Sequence, residues 1–238
     1  MRAATANSYF FRGLRDSFPF VFVAGPFGLL FGVLASEAGL KLHEVMAFTV
    51  SVFAGAAQFT ALQLLREDAP TVIVLVSALA VNLRVAMYSA SLTPYLGSAP
   101  LWQRAIAAYM TVDQSYSLSV VKFEKEPRMT VPQRMAYFFG TNGLIAPLWY
   151  GATFTGAVLG AQIPESWALD FAMPICFLAM IGPLLRTPAH IVAALVSIVT
   201  AILAVGVPYN LGLLVAGIAG MVAGAQTELW LARRGATA

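Results

Sequence analysis

Two ionisable side chains stand inside long apolar runs of this chain. Arg84 lies in Ala80-Val81-Asn82-Leu83-Arg84 and Asp113 in Thr111-Val112-Asp113-Gln114. A charged side chain at the centre of a membrane helix costs at least ~2.5–3.5 kcal/mol on insertion scales, so such residues pair or line a polar cavity. Two readings follow. The pair ties two helices together as a static bridge, or Arg84 holds a carboxylate while Asp113 holds an ammonium or carries a proton in alternation. Around them stand residues that break helices or add polar groups at similar depth: Pro26 and Gly28, then Gly55 and Gln58 within Phe53-Ala54-Gly55-Ala56-Ala57-Gln58-Phe59, and Pro174. A broken helix frees backbone groups that neighbours or a ligand must satisfy, and its ends can face a charged solute. Close helix packing explains the same small residues. Asn82, Tyr88, Tyr116 and Asn142 could line a path or hydrogen-bond between helices; Asn82 and Tyr116 join the candidate substrate-binding set.

The elements that must position these groups are membrane helices. The 238 residues are 59% hydrophobic and 11% charged, with mean hydropathy +0.78; a soluble domain carries roughly 25% charged residues. The sequence reads as one all-α transmembrane domain over 1–238. Each crossing needs ~20 mainly apolar residues. Eight stretches qualify, near 17–38, 44–65, 70–92, 104–121, 134–160, 167–185, 188–206 and 209–231; the count falls to seven if the fourth, interrupted by Gln114, Ser115, Ser117 and Ser119, is re-entrant. Arg2, Arg12 and Arg15 precede an apolar run from Phe18 to Ala38 that is longer than the ~7–15 residues of a signal peptide core, so it reads as the first span.

Eight spans place both termini on one side. That side holds Arg2, Arg12, Arg15, Arg66, Lys122, Lys125, Arg128, Arg134, Arg186, Arg233 and Arg234, eleven of the fourteen basic residues, against Lys41 and Arg104 opposite. The asymmetry makes both termini cytoplasmic. Residues 16–92 and roughly 140–208 show a faint similarity: a first helix with internal Gly or Pro, a second broken near its middle, a long aliphatic third. An eight-span count makes these blocks parallel, and a re-entrant fourth segment inverts them.

Other chemistry lacks its parts. The single cysteine, Cys176, supports no disulfide framework or cysteine metal site. His43, in an external loop, and His190, near a span start, are read as neither ligands nor bases. Intramembrane proteolysis needs a serine with a histidine at matching depth, two membrane aspartates or His-Glu-x-x-His, and none occurs. No catalytic residue, metal or cofactor is expected, and no basic stripe interleaves with aromatics for nucleic acid. A channel or assembly subunit with a structural Arg84 and Asp113 pair is the alternative to a carrier. Trp149, Trp167 and Trp230 fall near expected span ends, where an interfacial belt is the usual use.

From about Arg12 to Gly224 the chain resembles the AzlC family of branched-chain amino acid permeases. The motifs are Asp16 with Pro19, Pro26-Phe27-Gly28 followed by Phe31-Gly32, Phe53 to Phe59, Asn82-Leu83-Arg84 with Tyr88, Asp113 with Tyr116, and Asp170 to Pro174 leading into Phe177-Leu178. Their order and spacing together carry the resemblance. It implies export of branched-chain or other hydrophobic amino acids across the plasma membrane, with a small AzlD-type membrane subunit as partner. Phe27, Phe53, Phe59 and Met87 are available for an aliphatic side chain. Members often show His after Asn-Leu-Arg and a Thr-Asp-Glu triplet in the fourth span. This chain has Val85 and Val112-Asp113-Gln114 there, leaving Asp113 the one mid-membrane acid for proton coupling.

Overall fold

The computed structural model describes residues 5–160, 185, 187–207 and 211–235, and every structured element among them is helical. The protein is an all-α membrane protein. It divides into two compact units, Met1–Leu62 with Val81–Trp167, and Gln63–Ala80 with Ala168–Ala238. Residues 167–184 of the span expected at 167–185, with Pro174, Pro183, Cys176 and Trp167, lie outside the described residues.

The first unit is built on two parallel helices. Helix α1 (Ala6–Ser17), a 3-10 turn (Phe18–Phe20) holding Pro19, and α2 (Val21–Glu37) form one apolar rod over Ala6–Glu37, which is long enough to cross a bilayer. Its partner, labelled α8, is Val131–Gly160. Contacts rise together in number: Gly13 faces the Tyr137 carbonyl, Gly28 the Trp149 carbonyl, Gly32 the Thr153 carbonyl and Gly160 the Val33 backbone, so the helices run in the same direction. A Cβ on Gly32 would sit 2.1 Å from the Thr153 carbonyl oxygen, and one on Gly156 2.0 Å from that of Leu29. Lipid gives helices no hydrophobic reason to associate, so close backbone approach through small residues supplies the packing. Pro26 does not interrupt α2 as expected; the helix runs through it, and the side chain is exposed.

The expected second span is broken where the small residues predict, but it also turns back. Helix α3 (Leu42–Ser51) ends, residues 52–54 are non-helical, and α4 (Gly55–Arg66) begins. Gln58 Nε2 donates to Thr49 Oγ1 at 3.1 Å across nine residues. A straight helix would separate such residues by ~13 Å. The Phe31 ring meets Phe48 and Phe59 at 5.6 Å each. Helices α3 and α4 are therefore the arms of a hairpin entering from the end where α2 finishes.

The fourth segment makes the mirror move. Helix α5 (Thr71–Leu96) is followed by α6 (Leu101–Tyr109), a break at 110–112 and α7 (Asp113–Lys125). Along α7 the partners on α5 climb in step: Asp113 with Arg84, Tyr116 with Tyr88 and Ser91, Phe123 with Tyr95. Thus α7 returns toward the end of α5, which is also where α6 starts. The segment is re-entrant, and Arg104 consequently lies at the same end as Lys122 rather than opposite it. With both hairpins turning back, the first helices of the two similar sequence blocks, α1–α2 and α8, run parallel.

At that basic end α1, α7 and α8 are clasped together. Glu126 accepts from Lys122 Nζ at 2.8 Å and from the Tyr9 hydroxyl at 2.9 Å, with Arg12 at 4.0 Å; Tyr137 donates to Asp16 at 3.0 Å. In the second unit α9 (Pro188–Leu203) and α10 (Leu211–Gly235) form an antiparallel pair in which Ser197 Oγ donates to the Ala216 carbonyl at 3.1 Å. Helices α5, α9 and α10 present rows of exposed apolar side chains, among them Leu75, Leu79, Leu83 and Met87, then Leu195, Ile198 and Ile202, then Ile218, Met221 and Leu229. Such surfaces suit hydrocarbon. Trp230 is half exposed near the end of α10, with the Arg234 guanidinium 3.8 Å from its ring, as an interfacial residue would be.

Three outcomes are expected. Gly32→Ala forces a methyl into the Thr153 carbonyl and should cost about 3 kcal/mol or more, read as lost thermal stability in detergent. In a Cys176→Ser background, cysteines replacing Ser98 and Arg128 should react with an impermeant maleimide from one side of the membrane, and a cysteine replacing Lys41 from the other. The Glu126 carboxyl is held below its usual range, chiefly by the Lys122 hydrogen bond and against the opposing effect of burial. A depressed carboxyl contributes stability above its unfolded pKa and loses it as pH falls through the folded value. The melting advantage of the native chain over Glu126→Gln should therefore be full at neutral pH and decline as pH falls below the ordinary glutamate range, about pH 4, and through the depressed folded value.

Candidate functional site

The two hairpins enter from opposite ends and meet tip to tip. The Tyr109 hydroxyl, at the end of α6, reaches the Val50 carbonyl near the end of α3 at 2.5 Å, and lies 2.8 Å from the Tyr150 hydroxyl of α8. The Phe53 ring packs beside both tyrosines, 6.1 Å from Tyr109 and 5.4 Å from Tyr150. Breaks in two helices are thereby held together against the middle of α8, where protein groups take up the freed backbone.

Asp113 opens α7 at this level. A helix N-terminus has free amides and a positive dipole end, which favour an anion there. Ser115 secures the turn, its Oγ accepting from Val112 N at 3.0 Å. Arg84 comes from α5, whose residues at spacing four, three and four, Arg84, Tyr88, Ser91 and Tyr95, form one face directed at α7. The Arg84 Nη2 to Asp113 Oδ2 distance is 3.1 Å. Tyr88 lies beside Asp113 as well. Below it, Tyr88 and Tyr116 stack with centroids 4.1 Å apart at 10°, and the Tyr116 hydroxyl reaches Ser91 Oγ at 3.1 Å.

The pair is not sealed. The side chains of Arg84 and Asp113 keep 30% and 40% of their exposure, whereas Arg84 Nε is buried without a hydrogen-bond partner. Arg84 thus has donor capacity beyond its bridge, and both charges can be reached from outside the fold. A planar guanidinium binds carboxylates in two-point fashion, and a carboxylate accepts from an ammonium.

Hairpin one carries different chemistry. Gln58 is fully buried; its Nε2 also donates to the Val52 carbonyl at 2.5 Å, while Thr49 Oγ1 accepts from Trp149 Nε1 at 2.8 Å. Gln58 therefore locks the turn between α3 and α4, with Oε1 alone unpartnered. Gly55 lies against the Trp149 ring, a Cβ there meeting it at 2.9 Å. Trp149 is a buried strut in mid-helix, not the interfacial residue expected, because Thr49 supplies its partner inside the protein.

Of the residues singled out from sequence, Arg84, Asp113 and Tyr116 come together. Gly55 and Gln58 build the neighbouring hairpin tip. Gly28 is buried against the Trp149 carbonyl, a packing position, and Pro26 faces outward. Asn82 is half-buried two residues from Arg84, about 200° round the helix and off the face that meets α7. Pro174 lies outside the described residues. Phe59 is sealed in the core and Met87 is exposed on α5, whereas Phe53 sits beside the hairpin tips. Tyr109 and Tyr150 join elements far apart in sequence, so no local pattern marks them. Tyr88 and Ser91 could have been placed by their helical spacing from Arg84.

A family model described as AzlC protein matches residues 19–163. The chain belongs to the AzlC family. The matched segment covers α2, both hairpins, α5 and α8, and begins after α1. Among curated relatives of this AzlC chain, the inner membrane protein YgaZ of Escherichia coli K12 is 24% identical over 234 residues, covering 95% of this chain and 92% of its own. An uncharacterized membrane protein of Archaeoglobus fulgidus is 27% identical over 190 residues, 78% of this chain and 80% of its own, and another of Helicobacter pylori is 23% identical over 176 residues, 72% and 75%. No solved structure matches. The family and its membrane relatives support a transporter-type role for the AzlC chain.

If Gln58 is a lock for the hairpin, Gln58→Leu removes the buried donor that joins Thr49 to the Val52 carbonyl across the turn and should cost about 1–3 kcal/mol, read as a lower melting temperature in detergent.

Proposed function

We propose that this AzlC chain is the larger subunit of a secondary transporter that exports branched-chain or other hydrophobic amino acids across the plasma membrane, completed by a small AzlD-type membrane subunit. The observation that carries the reading is the accessible Arg84 and Asp113 pair at the meeting point of two opposed hairpins. A zwitterion is the solute that such a pair fits. Its carboxylate replaces Asp113 on Arg84, and its ammonium replaces Arg84 on Asp113, so the charges stay compensated while the bridge opens. Empty and loaded sites are then both neutral, which lowers the cost of charge inside the membrane. Phe53, Tyr109 and Tyr150 lie beside the Asp113 turn and offer an apolar wall for the aliphatic side chain. Asp113, the acid at the site, is also the residue that would exchange a proton during the cycle.

The reading is of a carrier without catalytic residues, metal or cofactor. The basic end, with Arg12, Arg15, Arg104, Lys122, Lys125, Arg128 and Arg134, faces the cytoplasm under the positive-inside rule. The N-terminus then lies inside, and Arg233 and Arg234 at the end of α10 mark the C-terminus as cytoplasmic too.

Proteoliposomes containing the chain co-expressed with its small partner test this. Labelled leucine, isoleucine, valine and methionine should show saturable counterflow that polar amino acids do not compete away. Asp113→Asn and Arg84→Gln should each reduce it at least about tenfold, the loss of one charge-assisted contact, with melting temperature checked. Linear dependence on concentration would instead identify a pore with a structural bridge. An Asp113→Asn protein that keeps both flux and its pH response would remove the aspartate from the mechanism.

A further inference from the structure

The basic end of the first unit carries a second opening that the transport site does not use. Between the last turns of α5 and the length of α6 lies a cleft of about 350 Å³, lined by Ser89, Thr93, Leu92, Leu96, Leu101 and Arg104, with Ala105 and Ala108 along its rim. Arg104 is exposed, makes no ion pair among the described residues, and has no carboxylate among the cleft residues. Thr93 spends its hydroxyl hydrogen on the Ser89 carbonyl at 2.9 Å, leaving its oxygen to accept. Thr111 adds a third hydroxyl, which donates to the Ala107 carbonyl at 2.7 Å; apart from these three hydroxyls and Arg104, the walls are apolar.

The surroundings select the ligand. Leu101, Trp102 and Ile106 on α6 are exposed at 72%, 62% and 43%, which places this helix against lipid. Trp102 stands within two residues of Arg104, the pairing of aromatic and cation found at the headgroup level. Because hairpin two is re-entrant, Arg104 belongs to the end that also carries Lys122, Lys125, Arg128 and Arg134. Basic pockets between helices on the cytoplasmic side attract the anionic headgroups of that leaflet. A zwitterionic amino acid finds no acid here for its ammonium, and a small soluble anion has no use for three leucines.

We infer that this cleft binds an anionic phospholipid, with Arg104 on the phosphate and Leu92, Leu96 and Leu101 against an acyl chain. Occupancy would brace α6 on α5 and hence the foot of hairpin two. The inference does not depend on the identity of the transported solute.

The test is native mass spectrometry of the detergent-purified chain titrated with phosphatidylglycerol or phosphatidylcholine of equal chain length, alongside inorganic phosphate. Phosphatidylglycerol should be retained in preference. Arg104→Ala should weaken that retention about tenfold, as loss of a charged hydrogen bond would, and Ala105→Trp, which fills the cleft while keeping the charge, should weaken it too. Both variants should melt like the native chain in lipid-free detergent. Equal retention of the two lipids, unchanged retention in Arg104→Ala or in Ala105→Trp, or inorganic phosphate displacing the lipid at equal concentration would each overturn the assignment. If a variant melts early, Arg104→Gln and Ala108→Phe take its place, read by the same criteria.

Discussion

A chain immersed in hydrocarbon can leave its helical hydrogen-bonding pattern only where other protein groups enclose the freed amides and carbonyls. This constraint organises the first unit. Helices α1–α2 and α8, pressed together through glycines, form a wall to which two broken segments can be secured. Thr49, Gln58 and Trp149 hold one tip, and Ser115 and Tyr109 hold the other. Without the wall neither hairpin could end at mid-depth.

The hairpins in turn make a charged pair affordable inside a membrane. Asp113 sits at the first position of α7 only because α6 has stopped four residues earlier, and the positive end of the helix dipole favours a carboxylate there. Arg84, on an unbroken helix, meets it because α7 runs parallel to α5 with matched register. The stack of Tyr88 on Tyr116 keeps that register. The polar site and the aromatic cluster around Phe53 are thus neighbours by construction, a charged half and an apolar half, which is the division a hydrophobic zwitterion presents.

Much of this was legible in residue order. Apolar runs announced the membrane, the Gly55 passage announced a break, and the cost of burying Arg84 and Asp113 in lipid announced their pairing at 3.1 Å. The direction of the chain after each break was not legible. A run of twenty apolar residues has the same hydropathy whether it crosses or returns, so the second and fourth segments read as spans, and Arg104, expected opposite the basic cluster, lies at its end. Pro26 misled for a related reason: proline is tolerated within a membrane helix when neighbours absorb its missing donor, and α2 continues through it.

Composition and the position of each charged residue determined, without coordinates, that this is a helical membrane protein with one ionic pair at depth, because the energy of a charge in lipid is large and local to the residue. The fold alone decided that the two breaks are hairpins meeting from opposite ends, that Tyr88 and Tyr109 serve them, and that Gln58 is a lock. Those outcomes rest on contacts between residues dozens of positions apart, such as Tyr109 with Val50 and Trp149 with Thr49, whose energies depend on packed geometry and leave no periodic trace in sequence.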